Sequence, residues 1–391
     1  MGKRVGMEVS IAASEAVRLA NTDVVAAYPI TPQTHIVEHL SEFVNNGELD
    51  AEFVPVESEH SAMSVCLGSS AAGARTFTCT SSQGLILMSE IVYIAATMRL
   101  PIVMILANRS VSGPLSIWND HTDVMAIRDC GWIQVFADNG QEVFDHVLWA
   151  FRVGEDRRVI HPVIVNLDGF ILTHVIEPIE LLDQETVDRF LPPYEPLHRL
   201  HPDKPITMGC FAMPNLYTET KKAQDEALKA TMPTILEGWK EFGDLTGRHY
   251  HPLEEYRTED ADLLIVTMGS LGETACVAAD SMRAQGKSVG VLRIRLWRPF
   301  PFDLFRQAVR KAGTLVVMDR ATSYGGPGGP VSSEIRAALY GTDHQPKVVN
   351  FIVGLAGRDV SPEDFETMVD LTLSGKAKTR QEDYQIYGVR E

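Results

Sequence analysis

The sequence predicts an α/β protein built from two doubly wound units, and three observations predict it. Short apolar runs alternate with helical patterns through residues 9–167. The same alternation resumes over residues 263–352. Between them lies an irregular stretch punctuated by Pro192, Pro193, Pro196, Pro202 and Pro205. Strand–helix alternation of this kind builds a parallel sheet covered on both faces. A chain of 391 residues also exceeds one usual domain, and we expect units at residues 1–257 and 258–391.

Residues 9–20 are apolar at helical spacing and 23–27 read as a strand. A helix follows at 36–44, a strand at 53–56 and a helix rich in small residues at 58–72. Then come a strand at 75–80, a helix at 85–98 and an apolar strand at 101–107. Val135 and Phe136 start a further strand, 142–151 its helix, and 163–167 another strand. Residues 223–242 read as a long amphipathic helix interrupted or kinked at Pro233. In the second unit, strands are expected at 263–268, 289–294, 314–318 and 348–352. Helices are expected at 274–284, 302–312 and 332–340.

Composition removes several classes of function. The net charge is −17 with no basic run, which argues against nucleic acid, since that binding rests on neutralising phosphates. No apolar run is long enough to span a bilayer. Met1-Gly2-Lys3-Arg4 is followed by no apolar signal region, and Gly6 stands where a myristoylation motif needs Ser or Thr, so the cytoplasm is expected. The five cysteines, Cys66, Cys79, Cys130, Cys210 and Cys276, include no C-x-x-C pair. They suit reduced thiols and offer neither a cluster nor a structural zinc site.

Candidate chemistry gathers where strands end. Tyr28-Pro29-Ile30-Thr31-Pro32 follows an apolar run, and two prolines in four residues forbid further strand pairing. Ligands of α/β proteins sit beyond the carboxyl ends of strands, so Thr31 is either a hydroxyl aimed at a ligand or a helix cap. Glu57-Ser58-Glu59-His60 occupies another strand-to-helix junction, where a carboxylate either favours the helix dipole or, if buried, exchanges protons. Arg109 follows the 101–107 strand. Its planar fork suits a substrate carboxylate, with an ion pair to Asp120 or Asp123 as the plainer reading. Asn119-Asp120-His121-Thr122-Asp123 reads as a polar loop closing over the site, with no further ligand to suggest a metal. The glycine-rich run 325–330 has no phosphate-binding lysine and reads as a shaped loop ahead of a helix.

Taken with Thr80-Ser81-Ser82-Gln83-Gly84-Leu85, Asp129-Cys130-Gly131-Trp132-Ile133-Gln134, Arg293-Ile294-Arg295-Leu296-Trp297-Arg298-Pro299-Phe300-Pro301 and Asp319-Arg320, these motifs resemble the α subunits of 2-oxoacid:ferredoxin oxidoreductases. The resemblance runs in order through nearly the whole chain. It implies a pyrimidine-type thiamine-diphosphate-binding domain and a transketolase C-terminal-like domain. It implies that Glu59 pairs with the cofactor's pyrimidine, with Pro29 and Ile30 beside it. It further implies that Arg109 holds the 2-oxoacid carboxylate and Thr31 hydrogen-bonds the reacting substrate. Gly-Asp-Gly, the family's diphosphate and metal signature, is absent, because Leu167 precedes Asp168-Gly169. Diphosphate, Mg2+ and [4Fe-4S] clusters therefore fall to partner subunits: a diphosphate-binding chain, a gamma chain and a ferredoxin-like cluster chain. Coenzyme A is implied as co-substrate and ferredoxin as electron acceptor. Apolar Ile30 offers no second cation and points to pyruvate, with branched 2-oxoacids or 2-oxoglutarate as alternatives. A β-type chain of a lipoamide-linked dehydrogenase, or a non-enzymatic scaffold subunit, is a more distant reading.

Overall fold

The computed structural model describes residues 3–377 and 384–390; Met1 and Gly2, on which the targeting arguments turn, lie outside the described residues. The strands are β1 (Lys3–Glu8), β2 (Val24–Ala27), β3 (Glu52–Pro55), β4 (Thr76–Thr80), β5 (Val103–Asn108), β6 (Ile133–Phe136), β7 (Val163–Asp168) and β8 (Ile176–Leu181). They continue as β9 (Leu253–Tyr256), β10 (Leu263–Thr267), β11 (Val289–Ile294), β12 (Leu296–Arg298), β13 (Thr314–Asp319), β14 (Lys347–Ile352) and β15 (Gln385–Ile386). One sheet has the order β12-β6-β7-β5-β4-β2-β3, and a second has the order β15-β14-β13-β10-β11-β9. All pairings within them are parallel except β12 on β6 and β9 on β11. Helices of the first unit include α1 (Val9–Leu19), α2 (Thr34–Asn45), α3 (Glu59–Ala72), α4 (Ser82–Met98), α5 (Thr122–Ala126) and α6 (Gly140–Gly154).

The central strands are apolar throughout because both faces are covered: every residue of β4, β5, β6 and β7 is buried. The helices show the expected punctuation. Ser58 caps α3 by accepting the Ser61 N–H at 3.2 Å, and Asn139 caps α6 by accepting the Glu142 N–H at 3.0 Å. Gly73 closes α3 in the left-handed region, where only glycine is free of a Cβ penalty.

The structure departs from the sequence reading in three places. The helix expected over 223–242 is two helices, Pro214–Lys229 and Met232–Thr246. Pro233 opens the second rather than kinking one, since a first-turn proline gives up only an N–H that has no helical partner. The helix expected to reach 312 ends at Ala308. The irregular stretch also holds β8, which pairs with β1 as an antiparallel ribbon outside both large sheets.

The run Arg293–Pro301 acts as a bridge. Its β12 segment leaves the second sheet's chain and covers the β6 edge of the first. Trp297 and Phe300 join an apolar cluster that also holds Trp132 and Phe136 of the first unit and Leu264 and Phe305 of the second. Arg295 is buried, donating to Glu142 at 2.7 Å, to Glu254 at 2.9 Å and to the His251 carbonyl at 2.7 Å. Burial opposes ionisation of Glu142, but the adjacent guanidinium outweighs it and holds the carboxyl below its ordinary value. Removing one partner of a buried pair strands the other charge. Arg295→Met is therefore expected to destabilise the fold by about 3–5 kcal/mol, read as a lowered denaturant midpoint. An unchanged midpoint would refute the bridge's energetic weight.

Candidate functional site

Parallel strands run in one direction, so their following loops share an edge. β5, β4, β2 and β3 are consecutive neighbours. The segments after them, 109–118, 81–84, 28–33 and 57–59, therefore line one border.

Thr31 and Arg109 meet directly. The Arg109 Nη1 donates to the Thr31 carbonyl at 3.0 Å, and its Nε donates to the Ser116 carbonyl at 2.9 Å. Its backbone N–H, not its guanidinium, bonds to Asp123, at 2.9 Å. Asp120 instead accepts from the Thr122 N–H and hydroxyl, so the plainer ion-pair reading of Arg109 is not what the structure shows. Among the described residues the Arg109 Nη2 has no hydrogen-bond partner, although the side chain is nearly buried. Burial draws its pKa down, opposed by Asp123, and arginine remains a cation at physiological pH.

The 28–33 loop is held from behind. Gln33 Nε2 donates to the Tyr28 carbonyl at 2.8 Å, and the N–H of Gln33 bonds to the Ile30 carbonyl at 3.0 Å. Pro32 is buried while Thr31 and Pro29 are exposed and Ile30 is half-buried. Gly169 makes this seat possible. A Cβ there would lie 2.5 Å from the Asn108 carbonyl oxygen and 2.6 Å from the Pro32 ring. Thr31 does not cap α2, whose N-cap position is Gln33.

Glu59 is the first residue of α3 and only 7% exposed. Among the described residues its carboxylate accepts no hydrogen bond, an unusual state for a buried carboxylate. Glu57 faces outward and accepts from the Ser61 hydroxyl. Glu59 stands against Gly84 in the first turn of α4: a Cβ there would lie 2.7 Å from its Oε1 and would strike the Thr80 hydroxyl as well. That hydroxyl is itself buried without a partner. Gly84→Ala must displace Glu59. We expect turnover to fall by up to about 10²-fold, with a cost of about 1–3 kcal/mol in stability. Parental turnover in a folded G84A variant would show that Glu59 need not sit where it does.

The polar loop 119–123 closes on the second unit. The His121 N–H bonds to the Arg320 carbonyl at 2.8 Å, and the Gly357 N–H bonds to the Asn119 carbonyl at 2.6 Å. Asp168 at the end of β7 takes the His121 ring nitrogen at 2.7 Å, the Arg320 Nη1 at 2.7 Å, the Ser270 N–H at 2.9 Å and the Ser270 hydroxyl. Burial alone would raise its pKa, but Arg320 and His121 hold it well below the carboxylate range. Sequence reasoning gave Asp168 no such place. The available signal was an aspartate closing an apolar strand.

The glycine-rich loop precedes the helix Pro330–Leu339, as expected, and its helix N-terminus is internally filled. Asp319 accepts the N–H groups of Val331 and Ser332 at 2.8 and 3.0 Å, and Gly329 lies so close that any Cβ would overlap its carboxylate. Among the described residues no group of three or more His, Cys, Asp or Glu is placed to hold a metal. No helix of the described residues is long and apolar enough to cross a membrane.

Residues 15–237 match the family described as pyruvate flavodoxin/ferredoxin oxidoreductase, thiamine diP-bdg, and residues 261–365 match pyruvate:ferredoxin oxidoreductase core domain II. The chain is 48% identical to the pyruvate synthase subunit PorA of Methanothermobacter thermautotrophicus, over 92% of this chain and 93% of that one. It is 43% identical to the ketoisovalerate oxidoreductase subunit VorA of Pyrococcus abyssi, over 96% of each. Its fold is similar to a solved 2-oxoglutarate:ferredoxin oxidoreductase from Magnetococcus marinus, with a TM-score of 0.71 and 20% identity. That likeness covers 96% of this chain and 65% of the solved one.

Proposed function

Because the chain belongs to the pyruvate flavodoxin/ferredoxin oxidoreductase family, we propose that it is the α subunit of a thiamine-diphosphate-dependent 2-oxoacid:ferredoxin oxidoreductase. Its reaction is the reversible, coenzyme A-dependent oxidative decarboxylation of pyruvate to acetyl-CoA and CO2, with reduction of ferredoxin. One observation carries the reading. Among the described residues, a buried carboxylate without a partner, Glu59, and a guanidinium with a free Nη2, Arg109, stand on one sheet edge with the Thr31 loop.

These residues fit the cofactor. Glu59, lacking any protein donor, is ready to pair with a pyrimidine ring nitrogen, and Gly84 leaves the room beside it. The bound cofactor supplies a nucleophilic carbon for attack on a keto group. Glu59 holds and returns the proton on its carboxylate. Arg109 binds the 2-oxoacid carboxylate through its free Nη2. Thr31, anchored through its carbonyl, turns its hydroxyl to the reacting oxygen, while Pro29 and Ile30 form the rest of that wall.

The half-site here calls for partners: a diphosphate-binding chain with Mg2+, a gamma chain, a ferredoxin-like chain with [4Fe-4S] clusters, and ferredoxin. PorA and VorA are named as subunits, which supports such an assembly, and the cytoplasm is its proposed location. Division into units 1–257 and 258–391 belongs to this reading, with β9 reaching back across the boundary to the second sheet.

The test is the assembled complex assayed for thiamine diphosphate- and CoA-dependent ferredoxin reduction. Pyruvate should give the highest kcat/KM among pyruvate, branched 2-oxoacids and 2-oxoglutarate. Preference for a branched 2-oxoacid would move the assignment toward the VorA relative. Reduction with none of them would end it.

A further inference from the structure

Asp123 is fully buried at the second position of α5, and the site as read leaves it without a role. Its two oxygens accept four N–H donors. Oδ2 takes the backbone N–H groups of Arg109 at 2.9 Å and of Ser82 at 3.1 Å. Oδ1 takes the Asn108 Nδ2 at 3.1 Å and the Val124 N–H at 2.7 Å. Ser82 opens α4 in the left-handed region, φ 48°, and two residues on lies Gly84, the floor under Glu59. The Ser82 hydroxyl adds a bond to the Ser110 carbonyl at 2.6 Å, on the same two segments.

Only an ionised carboxylate has acceptor sites for all four donors; an amide of the same shape has one oxygen and turns its NH2 toward the others. A buried carboxylate without a direct cationic partner is costly. Burial pushes its pKa up to about 7 even though the four hydrogen bonds draw it down. Simple packing would be met by an apolar side chain of similar size.

We propose that Asp123 is a positioning residue that fixes Arg109 and the start of α4 relative to each other, keeping the substrate-carboxylate clamp in register with Glu59. The role rests on the proposed function, because Arg109 and Glu59 take their parts from it.

The experiment uses the assembled enzyme with Asp123→Asn, Arg109→Lys and the double variant, measuring KM for pyruvate and for CoA, kcat and thermal midpoint. Asp123→Asn should raise the pyruvate KM at least tenfold and leave the CoA KM within twofold. The double variant should lie within about twofold of Arg109→Lys alone, since Asp123 acts through Arg109. A lowered midpoint with both KM values unmoved overturns the proposal, as do effects that multiply in the double variant. If Arg109→Lys itself leaves the pyruvate KM unchanged, the carboxylate-clamp reading fails separately. Amide hydrogen exchange at Ser82 and Arg109 then decides for Asp123: faster exchange in Asp123→Asn supports its positioning role, and unchanged exchange overturns it. Should Asp123→Asn not fold, Asp123→Ser, which admits water to the four donors, takes its place in every comparison.

Discussion

Glu59→Gln in the assembled enzyme is expected to lower turnover by about 10²–10⁴-fold, the range that a positioned acid–base group contributes. Glutamine keeps the shape and removes the proton exchange. The fold should not suffer, because no described residue donates to the Glu59 carboxylate and none loses a partner. Stability therefore separates this outcome from collapse. The thermal midpoint should hold or rise while ferredoxin reduction falls, with the pyruvate KM changed only a few-fold. Parental turnover in Glu59→Gln would remove the carboxylate from the mechanism.

Arg109→Ala is expected to act on the other parameter. Hydrogen bonds to charged groups contribute about 1.5–3 kcal/mol. The pyruvate KM should therefore rise by about 10- to 10²-fold, at roughly 1.4 kcal/mol per tenfold. The truncation also frees the Thr31 and Ser116 carbonyls, so kcat should fall as the 28–33 loop loosens. Lysine cannot restore two carbonyl bonds and a carboxylate contact from one fork, so Arg109→Lys should recover little. A pyruvate KM within twofold of the parent in a folded Arg109→Ala enzyme would reassign the clamp.

Much of the arrangement was legible in the residues because the governing effects are local. Alternating apolar runs mark buried parallel strands, and strands that share a direction share an edge, which is how Thr31, Glu59 and Arg109 fall on one border. Contacts between distant segments were not legible. β12 is three residues inside Arg293–Pro301, and nothing local says that it crosses to the first sheet. The interruption read at Pro233 falls slightly earlier, at Ala230 and Thr231, because a proline sits well in a first turn and so marks the start of the second helix. Asp123 and Asp168 look like ordinary polar loop residues until Ser82, 41 positions away, and Arg320, 152 positions away, arrive beside them.

The Asp168–Gly169 step has a consequence for anyone who would exchange parts between related enzymes. On one side Asp168 is gripped by Arg320 and Ser270, and on the other Gly169 is the seat of Pro32. The two halves of the chain thus share a keystone under the Thr31 loop. A chimera that grafts a foreign C-terminal half must bring its own guanidinium and hydroxyl to that carboxylate. One that lacks them leaves a buried anion held by His121 alone behind the Thr31 loop, and is expected to lose activity at a point far in sequence from the splice.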